Sequence, residues 1–433
     1  VINELVCEGC GDCSVESNCL SVVPKETPFG RKRQIDQNSC NKDYSCLNGF
    51  CPSFVTVEGD LTSRQERTAT TADYEALVGS LPSPEIPSVD AGYDLLVTGV
   101  GGTGVITVGA LITMAAHLEG KGATELDFMG FSQKFGPVLS YLRIATEPAD
   151  INQVRIEPAH ADALIGGDLV VSSSSKASIT YQYDKTRALV NTAEIMTGDF
   201  IRHRDANLRG GDRIAAIADA VSNDNLTTLD ANALAASLMG DTIYANVLLL
   251  GSAWQIGLVP VSLKALLRAI ELNGIKIEAN TRAFTWGRIA VADPEALSKG
   301  FDGAESEVTA TLDGMLALRR SFLADYQDET LADRFEKLVE RTRAVEAGLS
   351  DNTELTEAVA RSYFRLLSYK DEYEVARLHS RAEFLESVRR DFGNKPRLRF
   401  HLAPPILNSG VDARGRPLKK EFGAWILPVF RLL

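Results

Sequence analysis

The stretch Tyr93-Asp-Leu-Leu-Val-Thr-Gly-Val-Gly-Gly-Thr-Gly104 decides the fold of this chain, together with the apolar run from Val105 to Leu118 that follows it. A strand, a glycine-rich turn and a helix in this order open a βαβ unit. Glycines allow a tight turn and let a phosphate approach the backbone N–H groups at the positive end of a helix. The pattern therefore predicts a ligand-binding turn made of Gly99, Gly101, Gly102, Thr103 and Gly104.

The sequence around this turn predicts an α/β, Rossmann-like domain over residues 93–292. Apolar runs at 163–171 and 188–191 are expected to be further parallel strands, and segments 208–239 and 246–273 to be mainly helical. A glycine-rich turn can also serve only to pack a helix closely against a sheet. Both interpretations of the turn stay open on the sequence.

An acidic residue beyond the turn raises a dinucleotide-binding alternative. Asp127 lies 23 residues past Gly104, near the position at which an acid binds the ribose in a dinucleotide site. It could equally be a solvated acid at a strand end. The first interpretation predicts an NAD(P)H-dependent reductase.

All seven cysteines lie in the first 51 residues, in two strings. The first is Cys7-x2-Cys10-x2-Cys13-x5-Cys19, and the second is Cys40-x5-Cys46-x4-Cys51-Pro52. A cubane iron–sulfur cluster needs four ligands, usually thiolates, and a tight Cys-x2-Cys-x2-Cys loop supplies three of them. The spacing predicts a ferredoxin-like segment that holds one or two 4Fe-4S clusters.

The two strings are expected to share their ligands. In two-cluster ferredoxins the fourth cysteine of each run binds the other cluster. The second string has no middle cysteine, but Asp43 stands at the expected spacing. We predict that one cluster is held by Cys7, Cys10, Cys13 and Cys51, and a second by Cys19, Cys40, Asp43 and Cys46.

Three other interpretations of the cysteine segment compete with this one. A disulfide framework fits poorly with an odd number of cysteines and no visible secretory signal. Structural zinc would also use a Cys-x2-Cys pair, in a zinc-stapled interaction module without enzymatic activity. Asp43 itself could be an ordinary loop acid, because Asp is common in turns.

Composition and charge narrow the class of protein. The hydrophobic content of 45% and the charged content of 24% are ordinary for a globular protein. A net charge of −13 argues against nucleic-acid binding, and no apolar run is long enough to span a membrane. Reduced cysteines without a leader favour the cytoplasm. None of the five histidines forms a metal-spaced pair, and no catalytic residue is predicted.

Four consecutive segments are expected along the chain. They are an iron–sulfur segment at 1–59 with short strands at 20–23 and 54–57, a linker at 60–92, the α/β domain at 93–292 and a mainly helical region at 293–433. Helices are predicted in the last region at 307–325, 330–347, 352–367 and 372–391. The chain starts without Met and stops in an apolar stretch, so we expect a fragment of a longer polypeptide.

Several motifs together resemble one enzyme family. The cysteine segment, with Phe29-Gly-Arg-Lys-Arg33 and Gly49-Phe-Cys51-Pro-Ser-Phe54, is similar to the cluster segment of the large fused indolepyruvate:ferredoxin oxidoreductases. Thr98-Gly-Val-Gly-Gly-Thr-Gly-Val105 resembles the gamma domain of 2-oxoacid:ferredoxin oxidoreductases. The resemblance continues at Asp241-Thr-Ile-Tyr-Ala-Asn246 and at Lys370-Asp-Glu-Tyr-Glu-Val-Ala-Arg-Leu378.

The resemblance implies oxidative decarboxylation of an aryl 2-oxoacid on thiamine diphosphate with Mg²⁺, in domains that precede this segment. Electrons would pass through iron–sulfur clusters to ferredoxin, and the acyl group to coenzyme A. The family also implies a homodimer. We expect the glycine turn to face the coenzyme A pyrophosphate, with Lys134 or Arg143 as an anion partner. The sequence departs from the family pattern at Phe135, Pro137 and Tyr141.

Overall fold

The computed structural model describes most of the chain, namely residues 1–37, 39–59, 71–130, 136–196, 207–295, 297, 311–349, 352–393, 396–404, 407 and 410–432. The chain forms two compact units. The first unit combines residues 1–65 with 303–433, and the second comprises 66–302. The sequence had suggested four consecutive segments, whereas the structure joins the first and last of them.

The strands and helices are numbered here in chain order. Strands β1 to β11 are Val22–Lys25, Lys32–Ile35, Val55–Glu58, Tyr93–Val100, Gly122–Met129, Pro137–Ala145, Ala163–Gly166, Arg187–Asn191, Leu226–Leu229, Arg397–Leu402 and Lys420–Gly423. Helices α1 to α16 are Asp12–Ser17, Thr71–Ser80, Val105–Leu118, Leu169–Ser172, Ser175–Ser178, Gly210–Val221, Ala231–Met239, Ala245–Gln255, Leu263–Asn273, Ile277–Ala292, Leu312–Tyr326, Glu329–Ala347, Glu354–Leu367, Glu372–Ser380, Ala382–Phe392 and Ile426–Phe430.

The second unit is built on a mixed six-stranded sheet in the order β5-β6-β4-β7-β8-β9. Strands β4, β7, β8 and β9 run parallel, while β6 is antiparallel to both of its neighbours. Every residue of β4 is buried, as expected for a central strand that is covered on both faces. The expected α/β class with parallel strands is therefore confirmed for this unit.

Three features of the second unit differ from the sequence-based expectations. The antiparallel edge made by β5 and β6 was not anticipated, and β9 lies inside a segment expected to be helical. The apolar run at 163–171 stops being a strand at Gly166, because Asp168 caps α4 by accepting hydrogen bonds from the backbone N–H groups of Val170 and Val171. Helix α2 forms within the expected linker, where Tyr74 packs on Trp286 with ring centroids 5.0 Å apart.

Helices α8 and α10 cross at very close range in the second unit. A Cβ atom added at Gly251 would lie 1.9 Å from the carbonyl oxygen of Phe284, and one at Gly287 would lie 1.8 Å from that of Leu248. The hydroxyl of Ser252 donates to the Gly287 carbonyl oxygen at 2.7 Å. Two glycines on facing helices therefore allow contact between backbones that any side chain would prevent.

The first unit joins the two ends of the described chain through a three-stranded sheet. Strand β10 pairs antiparallel with β3 on one side and with β11 on the other. In β10 the side chains of Leu398, Phe400 and Leu402 are buried at alternate positions, which places them on the core face of the sheet. Phe400 shares one core with Phe335 of α12. The cysteine segment and the C-terminal region are thus one folding unit.

Helices α11 to α13 follow the predicted pattern in the first unit, apart from residues 307–310, which lie outside the described part of the chain. The predicted helix at 372–391 is instead two helices, α14 and α15, because Arg381 between them adopts an extended backbone conformation. The expected short strands near residues 20–23 and 54–57 correspond to β1 and β3. No described helix is both long and apolar enough to cross a membrane.

Candidate functional site

The first cysteine loop depends on glycines with a left-handed backbone. Gly9 has a φ of +70° and Gly11 a φ of +74°. A Cβ atom on Gly9 would lie 2.1 Å from the carbonyl oxygen of Arg31, so no other residue fits there without movement of the backbone. Gly11 precedes α1, whose first turn carries Cys13. The loop therefore wraps tightly between Cys7 and Cys13.

Four cysteines lie near one another around this loop. Burial raises the pKa of the Cys13 thiol to about 12, and the neighbouring charges of Cys7, Cys51 and Cys10 raise it further. Burial also raises the pKa of Cys51, and Cys7 and Cys10 act on it in the same sense. Charges influence each other in this way only at short range, so Cys51 lies close to the first string in the folded chain.

The remaining three cysteines form a second group. Burial raises the pKa of Cys46 to about 11, with additional contributions from the charges of Cys19 and Cys40. Asp43 lies in the same loop, is exposed, and its Oδ1 accepts hydrogen bonds from the backbone N–H and the hydroxyl of Ser45 at 3.1 and 3.0 Å. These bonds are typical of an Asp in a turn, and they occupy one carboxylate oxygen. Its role as a cluster ligand stays a prediction.

The thiol groups fit an iron–sulfur centre chemically. All seven cysteines are free thiols, and a metal displaces the proton from a thiol that would otherwise keep it. Within the described residues, no three His, Cys, Asp or Glu side chains converge as the ligands of a single metal ion do. The ligands of a cubane bind four separate irons, so they need not converge on one point.

Polar groups of the first unit stabilise the two cysteine loops. The backbone N–H of Gly9 donates to the Cys7 sulfur at 3.3 Å, and that of Lys42 donates to the Cys40 sulfur at 3.4 Å. Lys419 donates to the carbonyl oxygens of Leu47 and Cys51 at 3.0 and 2.7 Å. A cation at this point offsets the negative charge that thiolate ligands would bring. Sequence spacing gave no sign of Lys419.

Asn3 and His379 connect the cysteine loops to the helical region. The backbone carbonyl of Asn3 accepts from the N–H of Cys7 at 2.9 Å, and its N–H donates to the Ser53 carbonyl at 2.8 Å. The Asn3 side chain lies 3.3 Å from Nδ1 of His379, whose Nε2 lies 3.0 Å from the carbonyl oxygen of Pro52. The segments next to Cys7 and Cys51 are thereby held by one residue of α14.

The buried imidazole of His379 predicts that acid destabilises the first unit. Burial lowers the pKa of His379 to about 4, while the same group in the unfolded chain has a pKa of about 6.5. Below pH 6.5 the unfolded chain therefore binds a proton that the folded chain does not, and stability falls as the pH drops toward 4. Lowering the pH from 7.5 to 5.5 is therefore expected to reduce the free energy of unfolding by about 1 kcal/mol through this group.

Urea unfolding at both pH values, followed by far-UV circular dichroism, measures this loss. His379→Gln is expected to be less stable than wild type at pH 7.5, but its free energy of unfolding should fall by about 1 kcal/mol less than that of wild type on acidification. His160→Gln serves as the control, because the His160 side chain is 58% exposed. The same pH dependence in wild type and in His379→Gln would contradict the prediction.

The glycine turn lies at the carboxyl end of β4, at the surface of the second unit. Some of its donors are used inside the fold, because the N–H groups of Gly101 and Thr103 donate to the carbonyl oxygens of Gly136 and Val100. Gly102 is exposed with a φ of +100°, and a Cβ atom there would contact nothing within 4 Å. The N-terminal N–H groups of α3 have no acceptors within the helix. The backbone N–H groups at Gly102 and at the start of α3 are thus the groups of the turn that can bind a ligand.

Two further residues border the turn. A Cβ atom at Gly104 would lie 2.2 Å from Nδ2 of Asn246, so the amide of Asn246 lies directly against the turn. Asp168 is fully buried next to Gly99, and burial raises the pKa of its carboxyl group. The role of Asp168 was not predicted from the sequence, although an Asp after Gly166-Gly167 and before an apolar run is a helix-capping pattern.

The structure places two candidate ligand residues, Arg143 and Asp127, away from the turn. Arg143 forms an ion pair with Asp94 at 3.1 Å. Asp94 is six residues before Val100 on β4, so Arg143 lies about 20 Å from the turn. Asp127 is on edge strand β5, opposite Ser140, and β6 separates it from β4. It therefore does not occupy the ribose position of a dinucleotide site. Lys134 lies outside the described residues.

The part of the chain that carries the turn is similar to a known protein family. Residues 94–290 match the family Pyruvate ferredoxin/flavodoxin oxidoreductase, and residues 312–433 match a family of unknown function, DUF6537. Indolepyruvate oxidoreductase subunit IorB of Pyrococcus horikoshii is 27% identical over 198 residues, which are 45% of this chain and 94% of the relative. IorB of Thermococcus kodakarensis matches with the same identity and coverage. Residues 94–290 are thus similar to a domain found in an oxidoreductase family.

Solved structures resemble the same part of the chain. The pyruvate oxidoreductase subunit PORC of Thermotoga maritima covers 46% of this chain with 95% of its own length, at 18% identity and a TM-score of 0.33. A keto/oxoacid ferredoxin oxidoreductase gamma subunit from Geobacter sulfurreducens covers 46% with 98% of its length, at 21% identity and a TM-score of 0.32. The 2-oxoglutarate:ferredoxin oxidoreductase of Magnetococcus marinus covers 46% with 31% of its length, at 18% identity and a TM-score of 0.35.

Proposed function

We propose that this chain is the iron–sulfur and gamma-type part of a thiamine-dependent indolepyruvate (aryl 2-oxoacid):ferredoxin oxidoreductase. The observation that carries the proposal is the match of residues 94–290 to the oxidoreductase family, with relatives named as indolepyruvate oxidoreductase subunits. The grouping of seven free thiols in the first unit supports an electron-transfer role. Residues 312–433 would then support the cysteine loops through His379 and Lys419.

Each unit has a separate task in this proposal. Cys7, Cys10, Cys13 and Cys51 would hold one 4Fe-4S cluster, and Cys19, Cys40 and Cys46, with Asp43, a second; when bound, such clusters take up and release single electrons. In the second unit the turn at Gly102 and the start of α3 would bind the pyrophosphate of coenzyme A. Thiamine-binding domains of the same polypeptide, a ferredoxin acceptor, a homodimer and a cytoplasmic location complete the proposal.

A charge placed on the exposed glycine of the turn tests this function. Gly102→Asp puts a carboxylate beside the N–H groups that are proposed to bind pyrophosphate, whereas Gly102→Asn has nearly the same shape and backbone strain without the charge. In the intact polypeptide, indolepyruvate-dependent reduction of ferredoxin is followed as the coenzyme A concentration is varied. We expect Gly102→Asp to raise the KM for coenzyme A at least tenfold relative to Gly102→Asn, since like charges repel at short range.

The same assay contains the outcomes that would contradict the proposal. Equal KM values in the two variants would show that coenzyme A does not bind at the turn. They would not contradict the proposed oxidoreductase function. Activity with NADH and none with any 2-oxoacid would select the reductase alternative instead.

A further inference from the structure

A cavity of about 190 Å³ lies in the first unit, next to Glu8, the residue that follows Cys7. Among the described residues that line it, Glu8 is the only acidic one. Six basic residues also line the cavity. They lie on β2, α11 and α13 and in the loops next to β2 and α13, and they are Arg31, Lys32, Arg319, Arg361, Arg365 and Lys370. Such a concentration of cations is unusual in a chain with a net charge of −13. It requires a physical explanation.

Arg319 is the most informative of these cations. Its side chain belongs to α11 and is only 3% exposed. Its terminal nitrogens donate to the carbonyl oxygens of Met315 and Pro28, but among the described residues its Nε has no hydrogen-bond partner. No described carboxylate forms an ion pair with it. A buried charge without a counter-ion is costly, so this guanidinium is suited to an anion supplied from outside.

The neighbouring acids do not neutralise the cavity. Glu8 is shared by Lys370 and Arg365, while Arg31 pairs with Glu26 and Arg361 with Glu357. Six cations against three acids leave three positive charges at one small cavity. Burial lowers the pKa of Arg319 to about 10, and the nearby charge of Arg361 acts in the same direction. Mutual repulsion of this kind is relieved when an anion binds.

The size and the walls of the cavity restrict the ligand further. A volume of about 190 Å³ corresponds to about six water molecules, at about 30 Å³ each in the liquid. Phe29, Phe322 and Phe364 form the apolar part of the wall, and the Arg319 guanidinium lies 5.8 and 5.6 Å from the ring centres of Phe29 and Phe364. Guanidinium groups bind phosphate oxygens through paired hydrogen bonds. A single carboxylate would neutralise only one of the three excess charges.

We propose that this cavity binds a diphosphate group, either as free pyrophosphate or as the diphosphate of a nucleotide. The site lies in the first unit and uses no residue of the glycine turn, so it is independent of the proposed coenzyme A site. Arg319 would bind the buried end of the diphosphate, while Arg361, Arg365 and Lys370 would bind its outer oxygens.

Calorimetric titration of the intact polypeptide with inorganic pyrophosphate tests the proposal, at constant ionic strength and without Mg²⁺. Arg365→Gln removes a wall cation whose side chain is 69% exposed, and Arg390→Gln removes an arginine that is 70% exposed and outside this cavity. We expect Arg365→Gln to weaken pyrophosphate binding about tenfold, because one charge-assisted hydrogen bond is worth about one decade in Kd. Arg365→Lys should restore most of the loss, and Arg390→Gln should stay within about twofold of wild type.

The comparison of ligands identifies the source of the diphosphate. Tighter binding of ADP than of pyrophosphate, lost in Arg365→Gln, supports a nucleotide ligand; equal binding supports free pyrophosphate. Three results would overturn the proposal. The first is an affinity for pyrophosphate no higher than that for sulfate, and the second is an equal effect of Arg365→Gln and Arg390→Gln on the Kd. The third is binding of an acidic polyglutamate peptide when pyrophosphate does not bind. Because Gly102→Asp leaves this cavity unchanged, failure here is distinct from failure of the coenzyme A proposal.

Discussion

Replacing Cys51 with alanine is expected to remove the same iron–sulfur cluster as replacing Cys13, whereas Cys19→Ala should remove the other one. Cys19 is only six residues from Cys13 in sequence, and Cys51 is 38 residues away. In the folded chain, however, Cys51 acts electrostatically on Cys13, and Cys19 acts on Cys46. Loss of one of four ligands generally prevents assembly of a cubane, so each variant should lose about four irons.

Iron, acid-labile sulfide and zinc per chain, measured on anaerobically purified protein, show which variants lose the same centre. Electron paramagnetic resonance after dithionite reduction then distinguishes the two clusters. We expect identical residual spectra for Cys13→Ala and Cys51→Ala, and the complementary spectrum for Cys19→Ala. Identical spectra for Cys13→Ala and Cys19→Ala would show ligation by consecutive strings. Zinc without sulfide in the wild type would support the zinc-stapled module.

Asp43 is tested in the same experiment. A wild type with about eight irons that falls to about four in Asp43→Ala would make the carboxylate a ligand, since each cubane holds four irons. A wild type with about four irons leaves one cluster and makes Asp43 a turn residue. The hydrogen bonds to Ser45 explain its presence in that case.

Gly287→Ala is expected to destabilise the second unit by about 3 kcal/mol or more, at the upper end of what overpacking costs. The added methyl group would lie 1.8 Å from the carbonyl oxygen of Leu248. The obstacle is backbone and not a flexible side chain, so α8 and α10 must move apart. Their separation would disturb the packing of Trp254 on Phe284, whose ring centroids lie 6.2 Å apart.

Gly79→Ala is the matched control for this substitution. Gly79 is an exposed helical glycine of the same unit, and a Cβ atom there would contact nothing within 4 Å. Alanine favours helix over glycine, so this variant should gain about 0.5–1 kcal/mol. Denaturant unfolding monitored by tryptophan fluorescence gives both values. A Gly287→Ala variant as stable as wild type would show that the two helices can separate at little cost.

Local signals made the centre of the second unit predictable. Strand β4, the glycine turn and α3 are adjacent in sequence, and their periodicity identifies them without reference to the rest of the chain. The antiparallel edge strand β6 and the pairing of β3 with β10 depend on contacts between distant residues, which no local pattern encodes. The alternation of Leu398, Phe400 and Leu402 is a local signal for β10, although no strand was predicted there from the sequence.

In the candidate sites, too, features encoded by local sequence were predictable, and features that depend on contacts between distant residues were not. Cysteine spacing was sufficient to suggest two ligand groups, because ligands of one cluster recur in short motifs. The position of Arg143 was wrongly predicted, and the ribose-binding alternative for Asp127 fails, since sequence distance from the turn does not reveal the inserted strand β6. The cationic cavity was not foreseen because Arg31 and Arg365 are far apart in sequence and meet only in the folded first unit.

The pairing of β3 with β10 also has a consequence for biosynthesis. Val55 pairs with Phe400, so 345 residues must be translated after β3 before its partner strand exists. At about 5–20 residues per second this takes roughly 17–70 s. The second unit lies wholly within that interval and can fold first, whereas the cysteine loops emerge early and wait for His379 and Lys419. If the cysteine loops hold the proposed clusters, assembly of these clusters has to await synthesis of the C-terminal region, and until then the seven thiols have to stay reduced.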